Sequence, residues 1–360
     1  MRHAISAAVL AASLIAGPAL AQPPPAKHPA KGSMPPAPAA STTPADEEKI
    51  SPADRKRIQA IQQYQHDLVS VVALRADPDY LLGAAILAKP FENQTQGLDF
   101  DALSQRAASA PSAGAPAEWA RLDVCKTEKD CPNMEAFAWL KKHAADNAAV
   151  WMVALDVAAR DKNGKAERAA LKQAAAAQTY DDYYGKALAG VAKAVAVLPP
   201  LADTVQGAHD GQPDNDEGVR LLVAVMNTQN HIRPAFGPLE QLCGDDAAKD
   251  ADLKDDCLKL AHTLQWGSSP IARAVGLHIQ TTLKPVEKAQ DDQASQNLAW
   301  QVHQYSGLLQ RALTDASLAS QWLATARNGG TELSLMLATL RANQVPLDAP
   351  APASAGSAGQ

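Results

Sequence analysis

Aromatic side chains are scarce in this 360-residue chain: phenylalanine, tryptophan and tyrosine together make up 4%. A β-rich fold draws on branched and aromatic side chains that fit a pleated surface, so the scarcity argues against one. No run of alternating polar and apolar residues appears either. Basic charge is also short: 33 Lys and Arg face 39 Asp and Glu, a formal net charge of −6. That balance lacks the positive surface that nucleic acid requires, and it lacks a polybasic grip on anionic lipid. The apolar run near the start, Ala4 to Ala16, is shorter than the roughly 20 residues of a spanning helix.

The signatures of catalysis are missing too. No H-E-x-x-H sets two imidazoles and a base on one helix face, and no G-x-S-x-G exposes a serine. No Gly-rich loop is built to cradle phosphate, and neither C-x-x-C nor C-x-x-C-H is present. "DNDEG" (Asp214 to Gly218) has clustered acids but not the order of a calcium loop. A helix N-terminus, where acids complement the dipole, accounts for it better. The sequence therefore points to no metal, no cofactor and no catalytic residue.

What is present reads as export followed by helices. Arg2, the apolar run, and Ala19-Leu20-Ala21 have the form of a signal peptide over residues 1–21, cleaved before Gln22. Loss of Arg2 with that leader leaves 32 basic against 39 acidic residues, a net −7. The expected location is periplasmic or secreted, with no membrane insertion after cleavage. Residues 22–52 are rich in proline and alanine and read as a disordered tail, as do residues 347–360. Residues 53–346 then form an all-α domain whose weakest point, near 199–214, marks a possible division. Four cysteines remain, Cys125, Cys131, Cys243 and Cys257. In an oxidising compartment proximity favours the pairs Cys125–Cys131 and Cys243–Cys257; their spacings do not suit zinc.

Helix starts recur: Ser51-Pro52, Asp77-Pro78, Asp99, Pro116, Pro132 and Asp214 to Asp216. "DKNG" (Asp161 to Gly164) makes a tight turn with Gly164 available for a left-handed position. The helix before it carries Val150, Trp151, Ala154, Leu155 and Ala158 at helical spacing, and the helix after it offers an alanine face. The architecture expected is antiparallel helical hairpins in an α-solenoid or an irregular helical bundle. His278 falls on an apolar stripe with Ile271, Val275 and Leu283, and reads as a core histidine. His262 and Trp266 share a helix face that suits core or cleft. "TYDDYYG" (Thr179 to Gly185) is the most suggestive cluster. Tyr180, Asp181, Asp182 and Tyr183 form a candidate binding surface for sugar or peptide. The plainer account is that Asp181 caps a helix while Tyr183 and Tyr184 pack between hairpins.

Asn147 to Trp151, followed by Gly164, Ala169 and Ala176, resembles a degenerate tetratricopeptide repeat. It departs from that pattern at Ala154, Leu155 and Ala158. The wider layout resembles the uncharacterised exported helical proteins of Gram-negative bacteria. The likeness rests on "ADPDYLLGAAIL", "MEAFAWLKKHAADNAAVW", "YDDYYG" and the paired cysteines. The resemblance implies an export-and-repeat architecture and no particular activity. The function expected is binding or scaffolding of a protein or peptide in the cell envelope. The alternative is an envelope hydrolase using carboxylates from separate hairpins.

Overall fold

The computed structural model describes residues 50–91, 97–125, 127 and 130–350. The leader and most of the proline-rich segment read from the sequence lie outside the described residues, as do residues 351–360. Fifteen α-helices and no strand occur among the described residues. In chain order they are α1 Pro52–Val72, α2 Pro78–Ala88, α3 Phe100–Ser109, α4 Ala115–Arg121 and α5 Met134–His143. Then come α6 Ala148–Arg160, α7 Gly164–Ala176, α8 Tyr184–Ala194, α9 Asp216–Gln229 and α10 Gly237–Leu242. The last five are α11 Ala251–Gln265, α12 Pro270–Leu283, α13 Lys288–Ala312, α14 Ala316–Arg327 and α15 Glu332–Ala342. None of them is long and apolar enough to cross a membrane.

Local chemistry sets most of these starts. Ser51, Asp77, Asp99, Asn133, Asn147 and Asn215 each accept a hydrogen bond from a first-turn backbone N–H, relieving the orphan donors of the helix end. The "DKNG" turn works differently from its sequence reading. The left-handed residue is Lys162, at φ 54°, whereas Gly164 opens α7 behind Asn163, whose side chain accepts from Ala166 N. An asparagine cap placed just before the glycine makes Gly164 helical and moves the reversal back to Lys162.

Two hydrophobic cores result. One gathers α1, α2, α3, α8, α9, α13, α14 and α15; the other gathers α5, α6, α7, α10, α11 and most of α12, with α4 feeding both. Residues on either side of 199–214 enter each core, so that loop is no border between them. It is fastened to α1: buried Arg57 donates from Nε to Thr204 O and from Nη2 to Pro213 O, both at 2.6 Å. The folded part also runs past Pro346. Trp300 Nε1 donates to Pro346 O at 2.9 Å, Gln301 Nε2 to Leu347 O at 2.8 Å, and Ala349 N to Asn297 Oδ1 at 3.0 Å. Residues 346–349 are thus a strap along α13, which low-complexity composition did not reveal.

The α6–α7 pair is a hairpin, as read. Its next neighbour is α11 rather than α8. Arg168 meets Asp250 at 2.9 Å at one end, and Thr263 Oγ1 meets Ala177 O at 3.4 Å at the other. These contacts make α7 and α11 parallel. α8 instead crosses α2 at two glycines: a Cβ on Gly83 would lie 2.3 Å from Gly190 O, and one on Gly190 would lie 2.6 Å from Asp79 O.

Both cysteine pairs are disulfides, with Cα–Cα distances of 5.4 Å for Cys125–Cys131 and 5.7 Å for Cys243–Cys257. The first ties the end of α4 to the entry of α5; the second ties α10 to α11. The chain-entropy model gives about 2 and about 3 kcal/mol for loops of these lengths.

Two predictions follow from this packing. Gly83→Ala should lower unfolding stability in urea by about 1–3 kcal/mol or more, because backbone rather than a side-chain tip blocks the new methyl. Gly164→Ala, with nothing within 4 Å of its Cβ, should cost nothing or stabilise by up to about 1 kcal/mol. For the disulfides, Cys243 and Cys257 are buried, while Cys125 and Cys131 are half-buried. Mild reductant in native buffer, followed by alkylation and peptide mapping, should label Cys125 and Cys131 first, with Cys243 and Cys257 following only on unfolding.

Candidate functional site

The "TYDDYYG" segment forms the joint between the two cores. Asn147 holds it. Its Nδ2 donates to Asp181 O at 2.7 Å and to Tyr183 OH at 3.2 Å, while its Oδ1 accepts from Asp181 N and Ala149 N. One buried amide therefore caps α6 and fixes the entry to α8. Ala148 N also donates to Thr179 O at 2.7 Å. The next anchor is the turn between α11 and α12, where Ser268 N donates to Tyr180 O and Ser268 O accepts from Leu333 N.

Asp182 is enclosed at 1% exposure. Its Oδ1 accepts from Ser268 Oγ at 3.2 Å and from Tyr184 N at 3.3 Å. Its carbonyl oxygen accepts from His231 Nε2 at 2.8 Å; a carbonyl can only accept, so Nε2 carries the proton. Arg233 lies 4.4 Å from the centre of the Tyr184 ring and donates from Nη2 to Glu332 Oε1 at 3.0 Å. Tyr180 OH, Asp182 Oδ2 and Glu332 Oε2 are buried and find no hydrogen-bond partner among the described residues. Burial raises the Glu332 carboxyl, against the opposing pull of Arg233, and burial likewise raises Asp181. Desolvation pushes the buried His231 imidazole down to about 4, so it is neutral near pH 7.

Serine, histidine and aspartate meet here without the geometry of nucleophilic catalysis. A triad needs imidazole against the hydroxyl and carboxylate against the imidazole. In this joint the hydroxyl is on the carboxylate and the imidazole is on a backbone carbonyl. The nearby opening, bordered by Lys89, Asp123, Phe100 and His231, has a volume of about 10 Å³, room for one water. Among the described residues no group of three or more His, Cys, Asp or Glu is placed to hold a metal.

The four residues of the candidate binding surface therefore part company. Tyr180 and Asp182 are interior, while Asp181 and Tyr183 are half-buried, so the stretch is not a continuous rim. Helix α8 starts at Tyr184 and its neighbours supply only local turns: Asp181 Oδ1 accepts from Tyr183 N at 2.8 Å and does not cap the helix. Tyr183 has a left-handed φ of 55°, a conformation uncommon for a bulky residue. The ring of Tyr183 meets that of buried Trp119 edge-on at 5.6 Å. Sequence reasoning missed Asn147 as the organiser, and missed Ser268, Arg233 and Glu332 altogether. No local pattern marks them, because each earns its place from a neighbour far along the chain.

A second site is open. A groove of about 450 Å³ is lined by Ala175, Leu258, Lys259, His262, Gln280 and Lys284, where the end of α7 meets the middle of α11 and the end of α12. One helical turn beyond His262 on α11, Trp266 is 77% exposed, and Ile271 across the turn is 50% exposed. His262 and Trp266 are thus outward-facing, not core. His278 is exposed as well, which corrects its reading as a core histidine. Ile271, counted there as part of the apolar stripe, points to solvent, and α12 buries Ala272, Val275, Gly276 and Ile279 instead.

No family model matches the chain, and neither curated proteins nor solved structures give a match. The fold and sites define an all-α, disulfide-clasped helical assembly with a closed polar joint and one open amphipathic edge.

The buried imidazole makes a pH prediction. A folded-state value near 4 lies below the ordinary 6.5, so the unfolded chain takes up the proton first. The stability associated with neutral His231 is complete above about pH 6.5 and is lost as pH falls towards about 4. Glu332 and Asp181, both raised, act in the opposite sense, favouring the folded state at lower pH. The difference between wild type and His231→Gln isolates the imidazole, because glutamine keeps a donor and does not titrate. Urea midpoints measured across this range should fall more steeply with acid in wild type than in the variant.

Proposed function

We propose that this chain is an exported, non-enzymatic helical protein of the cell envelope that binds a protein or peptide partner through its α11–α12 edge. The observation that carries the reading is the exposed indole of Trp266, one helical turn after the groove residue His262 and five residues before the half-exposed Ile271. An indole this exposed contributes little to folding, and contiguous apolar exposure marks interaction sites. Tryptophan is also among the commonest anchors of protein interfaces. Two disulfides fit an oxidising compartment, in keeping with the signal-peptide pattern of residues 1–21.

A hydrolase using two carboxylates needs them on either side of an open cleft. Asp182 and Glu332 belong instead to the closed joint, with an arginine, a serine hydroxyl and backbone groups as neighbours. This favours binding over hydrolysis. The hairpin of α6 and α7 supports a repeat-like ancestry of the tetratricopeptide kind, although α11 rather than the next helix in sequence stacks upon it.

The test is affinity capture from envelope extract with the exported form as bait, beside a Trp266→Ala/Ile271→Ala variant of equal melting temperature. The expected result is one partner, identified by mass spectrometry and bound again when purified, whose retention drops by about tenfold or more with the variant. Equal capture by both baits, or turnover of an envelope polymer by the wild type, would reject the assignment.

A further inference from the structure

The strap that follows α15 lies on α13 as a bound peptide lies in a groove. Burial alternates along it: Val345, Leu347 and Ala349 are half-buried, while Pro346, Asp348 and Pro350 are exposed. A period of two marks an extended chain with one face on a surface. Val345 and Leu347 pack against the first core. Asn297, Trp300 and Gln301, three and four positions apart on one face of α13, hold the backbone of the strap: Trp300 at Pro346 O, Gln301 at Leu347 O and Asn297 at Ala349 N. Of the α13 side-chain bonds to the strap, that from Asn297 Nδ2 to Asp348 Oδ1, at 3.0 Å, reaches a side chain. Main-chain bonds with alternate apolar side chains beneath are a common way for a protein to take an extended peptide. Two features show that the strap fills this groove imperfectly. Gln344, which starts it, has a left-handed φ of 58°, a position that glycine fills more readily. Gln301 is only 7% exposed, yet its Oε1 finds no hydrogen-bond partner among the described residues. Pro346, beside the carbonyl that Gln301 holds, has no N–H to give it, and an unpaired buried acceptor is costly.

We propose that this face of α13 is a peptide-docking groove which the C-terminal strap occupies in cis, and that its ligand is an extended segment of a partner protein with apolar side chains at two alternate positions. The groove shares no residue with the opening between α7, α11 and α12, and the proposal is independent of that edge. The ligand's chemistry is read from the segment seated there. Because most of the bonds go to backbone atoms, another sequence can replace the strap wherever Val345 and Leu347 have apolar counterparts. A segment with an N–H where the strap has proline can also serve Gln301 Oε1. Release of the strap unwinds no helix, since α15 ends at Ala342. A tethered occupant competes at an effective concentration on the order of millimolar. The closed chain therefore takes a ligand weakly, and the opened groove takes it well.

The probe is a fluorescent peptide with the sequence of residues 344–350 and the change Pro346→Ala, beside a control that also carries Val345→Asp and Leu347→Asp. The full chain is compared with a full-length Val345→Asp/Leu347→Asp variant, whose strap no longer fits. Anisotropy should show the variant binding the probe at least about tenfold more tightly than the wild type, and excess probe should raise the variant's melting temperature. The control peptide should do neither. Adding Asn297→Ala and Trp300→Phe to the variant should cost about tenfold in affinity. Gln344→Gly, which relaxes the entry to the strap, should bind the probe more weakly than the wild type. A folded variant that ignores the probe, or binds probe and control alike, reduces the strap to a brace and overturns the proposal. If the variant does not fold, hydrogen exchange of the wild type decides. The Ala349 N–H should exchange through local opening, well ahead of the amides of α13; exchange only with global unfolding overturns the proposal. Concentration-dependent dimers that Gln344→Gly abolishes would assign the groove to the strap of a second copy, and overturn it too.

Discussion

The close crossing of α2 and α8 is the constraint on which the rest of the structure depends. Every residue from Leu81 to Ala88 is buried, so α2 has no solvent face and must fit its neighbours on all sides. Gly83 and Gly190 bring the two backbones together closely enough that a methyl on either would strike a carbonyl oxygen. Fixing α8 in this way does more than fill the first core. The 179–184 segment leads directly into the N-terminal end of α8, and that segment carries the hydrogen bonds that join the second core to the first. A shift of α8 along α2 would move Asp182 relative to Ser268 and His231, and Tyr184 relative to Arg233.

The joint itself concentrates polar groups where two apolar cores meet. Burying Asp182 is costly unless its oxygens are bonded, and one of them is served by a serine hydroxyl and a backbone N–H while the other has none. Tyr183 adds a strained backbone. Four hydrogen bonds to Asn147 offset part of these costs, each worth about 1 kcal/mol net. Perturbed acids, a neutral buried histidine and strain are also the marks of an active site. What separates this joint from one is connectivity: each donor and acceptor that has a partner is directed inward to the chain's own backbone or side chains, and the adjoining opening admits about one water. Such a network specifies how two layers dock and leaves no reacting atom a place to sit.

Much of the helical layout was legible because its signals are local. Caps such as Ser51, Asp77 and Asp99 act within three residues of themselves, and disulfides closing short loops follow from proximity. Pairings between distant segments were not legible. The sequence shows α7 and α11 as two amphipathic helices, but nothing in either says that they run parallel with α8 to α10 intervening. The same limit explains His278 and Ile271. Their apolar company in the sequence suggested a buried stripe, and Val275 and Leu283 of it are buried, but α12 turns Ala272, Gly276 and Ile279 inward with them and leaves Ile271 and His278 outside. Gly276 illustrates why: a Cβ there would lie 2.6 Å from Ala261 O, so a close backbone approach to α11 helps to set which face turns inward. Trp266 was legible as a large residue on a helix face but not as exposed, because its neighbours Gly267 to Ser269 turn the chain away just beyond it.

The parallel stacking of α7 and α11 also explains where an open surface arises. Had the hairpins stacked in sequence order, the helix after α7 would have covered its outer side. The chain instead leaves for the first core through α8 and returns as α11, and α12 then folds back beside it. The end of α7 and the end of α12 therefore flank the middle of α11, with no further helix across the gap among the described residues. Residues there are released from the demands of packing. Lys259, His262 and Trp266 lie on one outward stripe of α11, while Leu253, Cys257, Leu260, Ala261 and Leu264 hold the other side in the core. Cys257, bonded to Cys243, locks that helix to α10. The stripe is thus presented on a helix that cannot readily rotate, and a rigid helix face loses less entropy on meeting a partner than a mobile loop would.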